Sequence, residues 1–213
     1  MLKLIEELKR TGEELHLVKD HLLVRRDGAF HLLDTGVPSS MKAPDIVSSE
    51  LEVPVTRLIG TAELARSPFR VDWTRRRIEF SASPAKGAIR HPITMSPLGV
   101  PLIQVEHRGR TITAVFDTGA PLSYMPSASA AGLDRVRTHT DFLPMFGSFD
   151  TNVYRSLIGV GTVRCSIELG VLPDLLQMAL GLMLPDGWII GTAIMKDRVT
   201  VIDIGGGAIW FED

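Results

Sequence analysis

The apolar positions of this chain come in short runs bounded by turn residues, the pattern of an all-β protein. Residues 15–24 and 30–33 are apolar runs on either side of Arg25-Arg26-Asp27-Gly28, whose Asp-Gly pair marks a tight hairpin turn. Residues 102–105 and 111–116 flank His107-Arg108-Gly109-Arg110 in the same way. Each hairpin runs straight into Asp-Thr-Gly, at Asp34-Thr35-Gly36 and at Asp117-Thr118-Gly119. A carboxylate at the end of a buried strand is costly unless partnered, and glycine lets the chain turn sharply there. The windows 34–40 and 117–123 continue alike: Asp, Thr, Gly, Pro and Ser recur at five of the seven positions.

A second repeat follows at a different offset. Leu58-Ile59-Gly60-Thr61-Ala62 reappears as Ile189-Ile190-Gly191-Thr192-Ala193, and 131 residues also separate Asp72 from Asp203, Ile78 from Ile209 and Phe80 from Phe211. The turns closing these copies are Thr74-Arg75-Arg76-Arg77 and Gly205-Gly206-Gly207. The arginine run is therefore read as a solvated turn, and no helix pattern follows the glycines to make a phosphate loop. The repeats divide the chain into a first half, 1–80, and a second half, 101–213. Residues 81–100, rich in Ser, Pro and Gly, read as a linker.

The halves are unequal: 26 residues separate Asp34 from Gly60, and 74 separate Asp117 from Gly191. The first half is thus a reduced one, with residues 41–57 read as loop and short strand. The second half adds a helical turn at 126–133, a hairpin around Phe146-Gly147-Ser148-Phe149, a strand-turn-strand at 157–169 and a helix at 173–184. Residues 1–10 interleave charge with Leu2, Leu4, Ile5 and Leu8, which predicts a short amphipathic helix rather than a signal peptide or membrane span.

Composition narrows the chemistry. A net charge of −2 gives no electrostatic case for nucleic acid. The single cysteine, Cys165, excludes an internal disulfide and fits a reducing compartment, so a cytoplasmic location is expected. The six histidines show no metal-ligand spacing, and no Ser sits in a Gly-x-Ser-x-Gly elbow, so neither a metal, another cofactor nor a serine nucleophile is expected. Ser40 and Ser123 recur at the Asp-Thr-Gly offset, which predicts a shared structural hydrogen bond beside each loop.

Two carboxylates brought close together share one proton, because both cannot ionise side by side. One is then an acid and the other a base, which suits activation of water and protonation of a carbonyl oxygen. Asp-Thr-Gly after an apolar strand, followed later by an apolar pair and Gly, resembles the pepsin/retropepsin-like aspartic protease clan. The resemblance implies a pepsin/retropepsin-like acid protease fold of two pseudo-symmetric halves, with Asp34 and Asp117 as the catalytic dyad. It implies that Thr35 and Thr118 bond across the interface, and that Gly36 and Gly119 let the backbone approach the carboxylates. Ala120 matches the retroviral-type enzymes, whereas Val37 departs from the clan's usual Ser, Thr or Ala. A flap must come from the second half, around Phe146, Gly147 and Phe149, since the first half is too short to hold one.

The implied activity is that of an aspartic endopeptidase acting on a peptide or protein substrate, with apolar side chains flanking the scissile bond. The expected partners include neither nucleic acid nor membrane. A monomer carrying both acids is the leading expectation. The alternatives are a homodimer pairing Asp117 with Asp117 of a second copy, and an inert fold that binds peptides or proteins.

Overall fold

The computed structural model describes residues 12–144, 147–181, 184 and 186–212. The amphipathic segment expected at 1–10 lies outside the described residues. Among the described residues the chain forms 17 strands and a few short helices, and no helix there is long and apolar enough to cross a membrane.

The first half builds a small sheet from β1 (Glu13–Val18), β2 (His21–Arg26), β3 (Ala29–Leu33), β4 (Met41–Lys42) and β5 (Val55–Ile59). β1, β2 and β3 are antiparallel neighbours, and β5 lies between β3, to which it is parallel, and β4. The Asp27-Gly28 turn has the two left-handed residues that a tight hairpin needs, at φ 51° and 81°. The run 15–24 is broken into β1 and β2 by Lys19 and Asp20, both left-handed at φ 48° and 65°. No glycine signals that turn, so the sequence reads through it. Residues 45–51, inside the stretch expected as loop and strand, form a helix, α1 (Asp45–Leu51), that buries Val47 and Leu51 against β5 and β2. Pro44 precedes its first turn, where proline's missing N–H costs nothing.

The second half repeats this path on a larger scale. It contains β9 (Pro101–His107), β10 (Arg110–Phe116), β11 (Ser123–Met125), β12 (Arg135–Leu143), β13 (Gly147–Val160), β14 (Val163–Val171) and β15 (Trp188–Ile190). The pairings β9–β10–β15–β11–β14–β13 return from β13 to β9, closing a barrel. β12 and β13 form a long hairpin with Leu143 opposite Gly147.

A six-stranded sheet joins the halves in the order β1, β7 (Arg77–Phe80), β6 (Phe69–Asp72), β16 (Val199–Asp203), β17 (Ala208–Glu212), β8 (Ile89–Met95). At its centre Arg70 pairs with Val201, its own counterpart 131 residues on. The sequence repeat is therefore an approximate twofold axis running between β6 and β16. The core follows the axis, since one cluster contains Leu15, Leu33, Ile59, Phe69 and Ile78 of the first half with Phe116, Ile190, Ile202 and Ile209 of the second.

The stretch 81–100 is more than a linker, because β8 within it pairs with both β17 and β9. His91 and Ile93 are buried while Arg90, Pro92 and Thr94 are exposed. This alternation is hidden at the sequence level by flanking Ser, Pro and Gly.

Candidate active site

Parallel pairing puts the two Asp-Thr-Gly loops in matching places. β3 lies parallel to β5 with Leu33 opposite Ile59, and β10 lies parallel to β15 with Phe116 opposite Ile190. The amide of Asp34 then donates to Ile59 O (3.0 Å) and that of Asp117 to Ile190 O (2.9 Å). Beyond the loops, Thr61 N donates to Val37 O and Thr192 N to Ala120 O, both at 2.9 Å. Ser40 Oγ accepts from Gly60 N and Ser123 Oγ from Gly191 N, both at 3.0 Å, so the matched serines share the structural hydrogen bond expected of them. Glycine is required at 60 and 191 because a Cβ there would press on the backbone of Ser39 or Ala120.

The loops are clasped to each other by their threonines, both buried. Thr35 Oγ1 donates to Phe116 O (2.6 Å) and accepts from Thr118 N (2.8 Å). Thr118 Oγ1 donates to Leu33 O (2.9 Å) and accepts from Thr35 N (3.1 Å). Four hydrogen bonds thus cross the axis, two from each half.

The clasp brings Asp34 and Asp117 together. Gly36 N donates to both carboxylates, to Asp34 Oδ1 at 3.0 Å and Asp117 Oδ1 at 3.1 Å, and Gly119 N donates to Asp117 Oδ1 at 2.8 Å. The backbone must come this close, since a Cβ on Gly119 would stand 2.5 Å from Asp34 Cγ and one on Gly36 would stand 2.6 Å from Asp117 Cγ. Burial, followed by the neighbouring charge of Asp117 and their mutual hydrogen bond, raises the Asp34 carboxyl well above its ordinary value. Burial also raises Asp117, opposed by the N–H groups of Gly119, Gly36 and Ala120. The pair therefore retains a proton where isolated carboxyls have lost theirs. The larger share of amide donors favours negative charge on Asp117 and the proton on Asp34. Val37 serves the site through its backbone N–H, while its side chain turns away to the apolar cluster of Leu23, Leu32 and Leu58.

A cavity of about 40 Å³ lies over the two acids, lined by His21, Leu32, Asp34, Asp117, Tyr124 and Asp141 together with Phe142 and Pro144. Its roof is the β12–β13 hairpin. Of the flap residues expected from sequence, Phe146 lies outside the described residues. Gly147 opens β13, and Phe149 packs near Tyr124 with ring centroids 6.0 Å apart. Neither lines the cavity. The residues that do so, Asp141, Phe142 and Leu143, come from β12, the other arm of the hairpin, and none of the three is among the flap residues named from sequence. Asp141 accepts a hydrogen bond from the Tyr124 hydroxyl. Phe142 stacks on His21 (5.8 Å) and packs against the α1 cluster, and Ser148 Oγ donates to Glu50 Oε1 of α1 at 2.8 Å. Helix α1 thus occupies the place of a first-half hairpin and receives the hairpin of the second half. His31 does not line the cavity, and Trp188 is core, packed on His107. Among the described residues no group of three or more His, Cys, Asp or Glu is arranged to hold a metal ion.

His21, Asp141 and Phe142 also line a separate groove of about 1060 Å³, with Lys19, Glu50, Arg137, Cys165, Glu168 and Arg198. Burial raises the Cys165 thiol, which leaves it a core group rather than a nucleophile.

No family model matches the chain, and no curated protein matches it. Among solved structures, it is similar to a retropepsin-like aspartic protease from Rickettsia conorii, with 16% identity over 59% of this chain and 89% of the other, at a TM-score of 0.38. It is also similar to the foamy viral protease-reverse transcriptase solved with an RNA/DNA hybrid, with 15% identity over 51% of this chain and 11% of the other, at a TM-score of 0.33. The seed protein conglutin gamma from lupine is 12% identical over 75% of this chain and 57% of its own, at a TM-score of 0.43.

Proposed function

We propose that the protein is an aspartic endopeptidase in which a single chain supplies both carboxylates, Asp34 and Asp117. The observation that carries this reading is the reciprocal seat of the two acids: each lies against the glycine of the other loop, both accept the Gly36 amide, and they share a cavity. In the proposed reaction Asp117 takes a proton from a water held between the acids. That water attacks the scissile carbonyl carbon, and Asp34 gives its proton to the carbonyl oxygen. Collapse of the tetrahedral diol passes a proton to the departing amine and breaks the C–N bond. A homodimer built on Asp117 is disfavoured because Asp34 of the same chain already fills the partner's place.

A cavity of about 40 Å³ holds water but no peptide, so the β12–β13 hairpin has to lift for substrate to enter. The test is cleavage of a diverse peptide mixture across about pH 4 to 7.5, because the dyad works only while it keeps its one shared proton and loses activity as rising pH removes it. Asp34→Asn and Asp117→Asn should each abolish cleavage. Cleavage that survives Asp34→Asn would refute the single-chain dyad, and no cleavage by the folded wild type would refute the hydrolytic reading.

A further inference from the structure

The hairpin brings a third acid to the cavity. Asp141 sits on the wall shared by the dyad cavity and the large groove. Its position is fixed from two sides, by the Tyr124 hydroxyl on one oxygen and by Phe142 N (2.8 Å) on the other. Each carboxylate oxygen can accept a second bond, so Asp141 keeps acceptor capacity toward the cleft. Two other acids of the groove have cations of their own: Asp20 pairs with Lys196 at 2.5 Å, and Glu168 with Arg137 at 2.9 Å and Arg155 at 3.1 Å. Asp141 has no lysine or arginine partner among the described residues. Nor does any described lysine or arginine line the dyad cavity. The one basic side chain there among the described residues, His21, is buried, and burial holds its imidazole below its ordinary value.

We infer that Asp141 makes the subsite between His21, Phe142 and the dyad selective for a cationic side chain, so that the preferred substrate carries lysine or arginine beside the scissile bond. The inference rests on the endopeptidase reading and departs from apolar preference on one side of the bond. The physical warrant is complementarity: a peptide ammonium or guanidinium can use the free lone pairs of Asp141 and offset charge in a site that has no cation of its own. Tyr124 holds the carboxylate in place, so little ordering remains to be done when substrate binds. A norleucine side chain of similar length fills the same space and leaves the carboxylate desolvated without a counter-charge, which is the larger penalty.

The experiment uses the full chain and paired peptides that differ only in lysine, norleucine or glutamate at each residue flanking the scissile bond. The quantity read is the ratio of kcat/KM for the lysine and norleucine peptides within each variant. Close charge pairs across interfaces couple strongly enough to predict a ratio of about tenfold or more for the wild type. Asp141→Asn, which can still accept from Tyr124, should bring the ratio near one. Tyr124→Phe, which keeps the charge, should leave the lysine peptide preferred. A ratio near one in the wild type, or one unchanged by Asp141→Asn, overturns the inference. The same peptides with a non-cleavable hydroxyethylene unit at the scissile position are titrated by calorimetry in parallel. If nothing is cleaved yet the lysine analogue binds better and only through Asp141, the subsite stands and hydrolysis falls. If no analogue binds, both fall.

Discussion

Replacing Thr35 by valine tests the clasp on which the paired carboxylates depend. Valine keeps the shape and removes one hydroxyl. That hydroxyl donates to Phe116 O and accepts from Thr118 N, and the residue is fully buried. Its loss leaves Thr118 N without its acceptor, a penalty of about 1–3 kcal/mol for an orphaned buried group. It also removes the bond to Phe116 O, with a further loss of about 1 kcal/mol. The expected destabilisation is about 2–4 kcal/mol, a large fraction of the roughly 5–15 kcal/mol that holds an ordinary domain. Thr35→Ser, which keeps the hydroxyl and drops one methyl, should lose only about 1 kcal/mol. Urea unfolding followed by circular dichroism measures both. Thr118→Val should repeat the result, because its hydroxyl makes the mirror-image bonds to Leu33 O and Thr35 N. A Thr35→Val loss under about 0.5 kcal/mol, the level of an ordinary surface change, would refute the reasoning. So would a serine variant as unstable as the valine one.

Three further outcomes are expected. Gly119→Ala sets a methyl 2.5 Å from Asp34 Cγ, and the displaced carboxylate should lower kcat by about a hundredfold or more while the circular dichroism spectrum stays native; unchanged turnover would remove the close-approach argument. Burial raises Asp34 and Asp117, so the dyad's contribution to stability is complete below the unfolded value of about 3.9 and is lost as pH rises through the folded values. Asp34→Asn should therefore raise Tm at about pH 7 and raise it less at about pH 3.5, and a pH-independent difference would contradict the raised values. Ser148→Ala breaks the contact between the hairpin and Glu50, a loss of about 0.5–1.5 kcal/mol, so hydrogen exchange in β12 should quicken several-fold while exchange in β16 stays the same; equal protection would show that the hairpin is held elsewhere.

Much of the fold is written locally. Short apolar runs, Asp-Gly and Arg-Gly turns, and two repeats at offsets of 83 and 131 residues identify the hairpins, the paired acids and the duplicated sheet strands. These features are legible because each depends on a few adjacent residues whose backbone preferences are strong. Local reading failed where the local signal was weak or misleading: at the Lys19-Asp20 turn without glycine, at α1 behind Pro44, and at β8 among prolines and serines.

The candidate site divides along the same line. The sequence by itself determined that two acids would end two equivalent strands, with threonine and glycine beside each, because those residue types at that spacing suit one turn. Only the tertiary structure decided what stands over them. Asp141 and Phe142 lie far from His21 in the chain, and none of the three belongs to a motif. They meet because the closed barrel aims the β12–β13 hairpin across the axis and α1 offers it an apolar seat. Contacts of that kind are set by the packing of whole elements, which no short window of sequence contains.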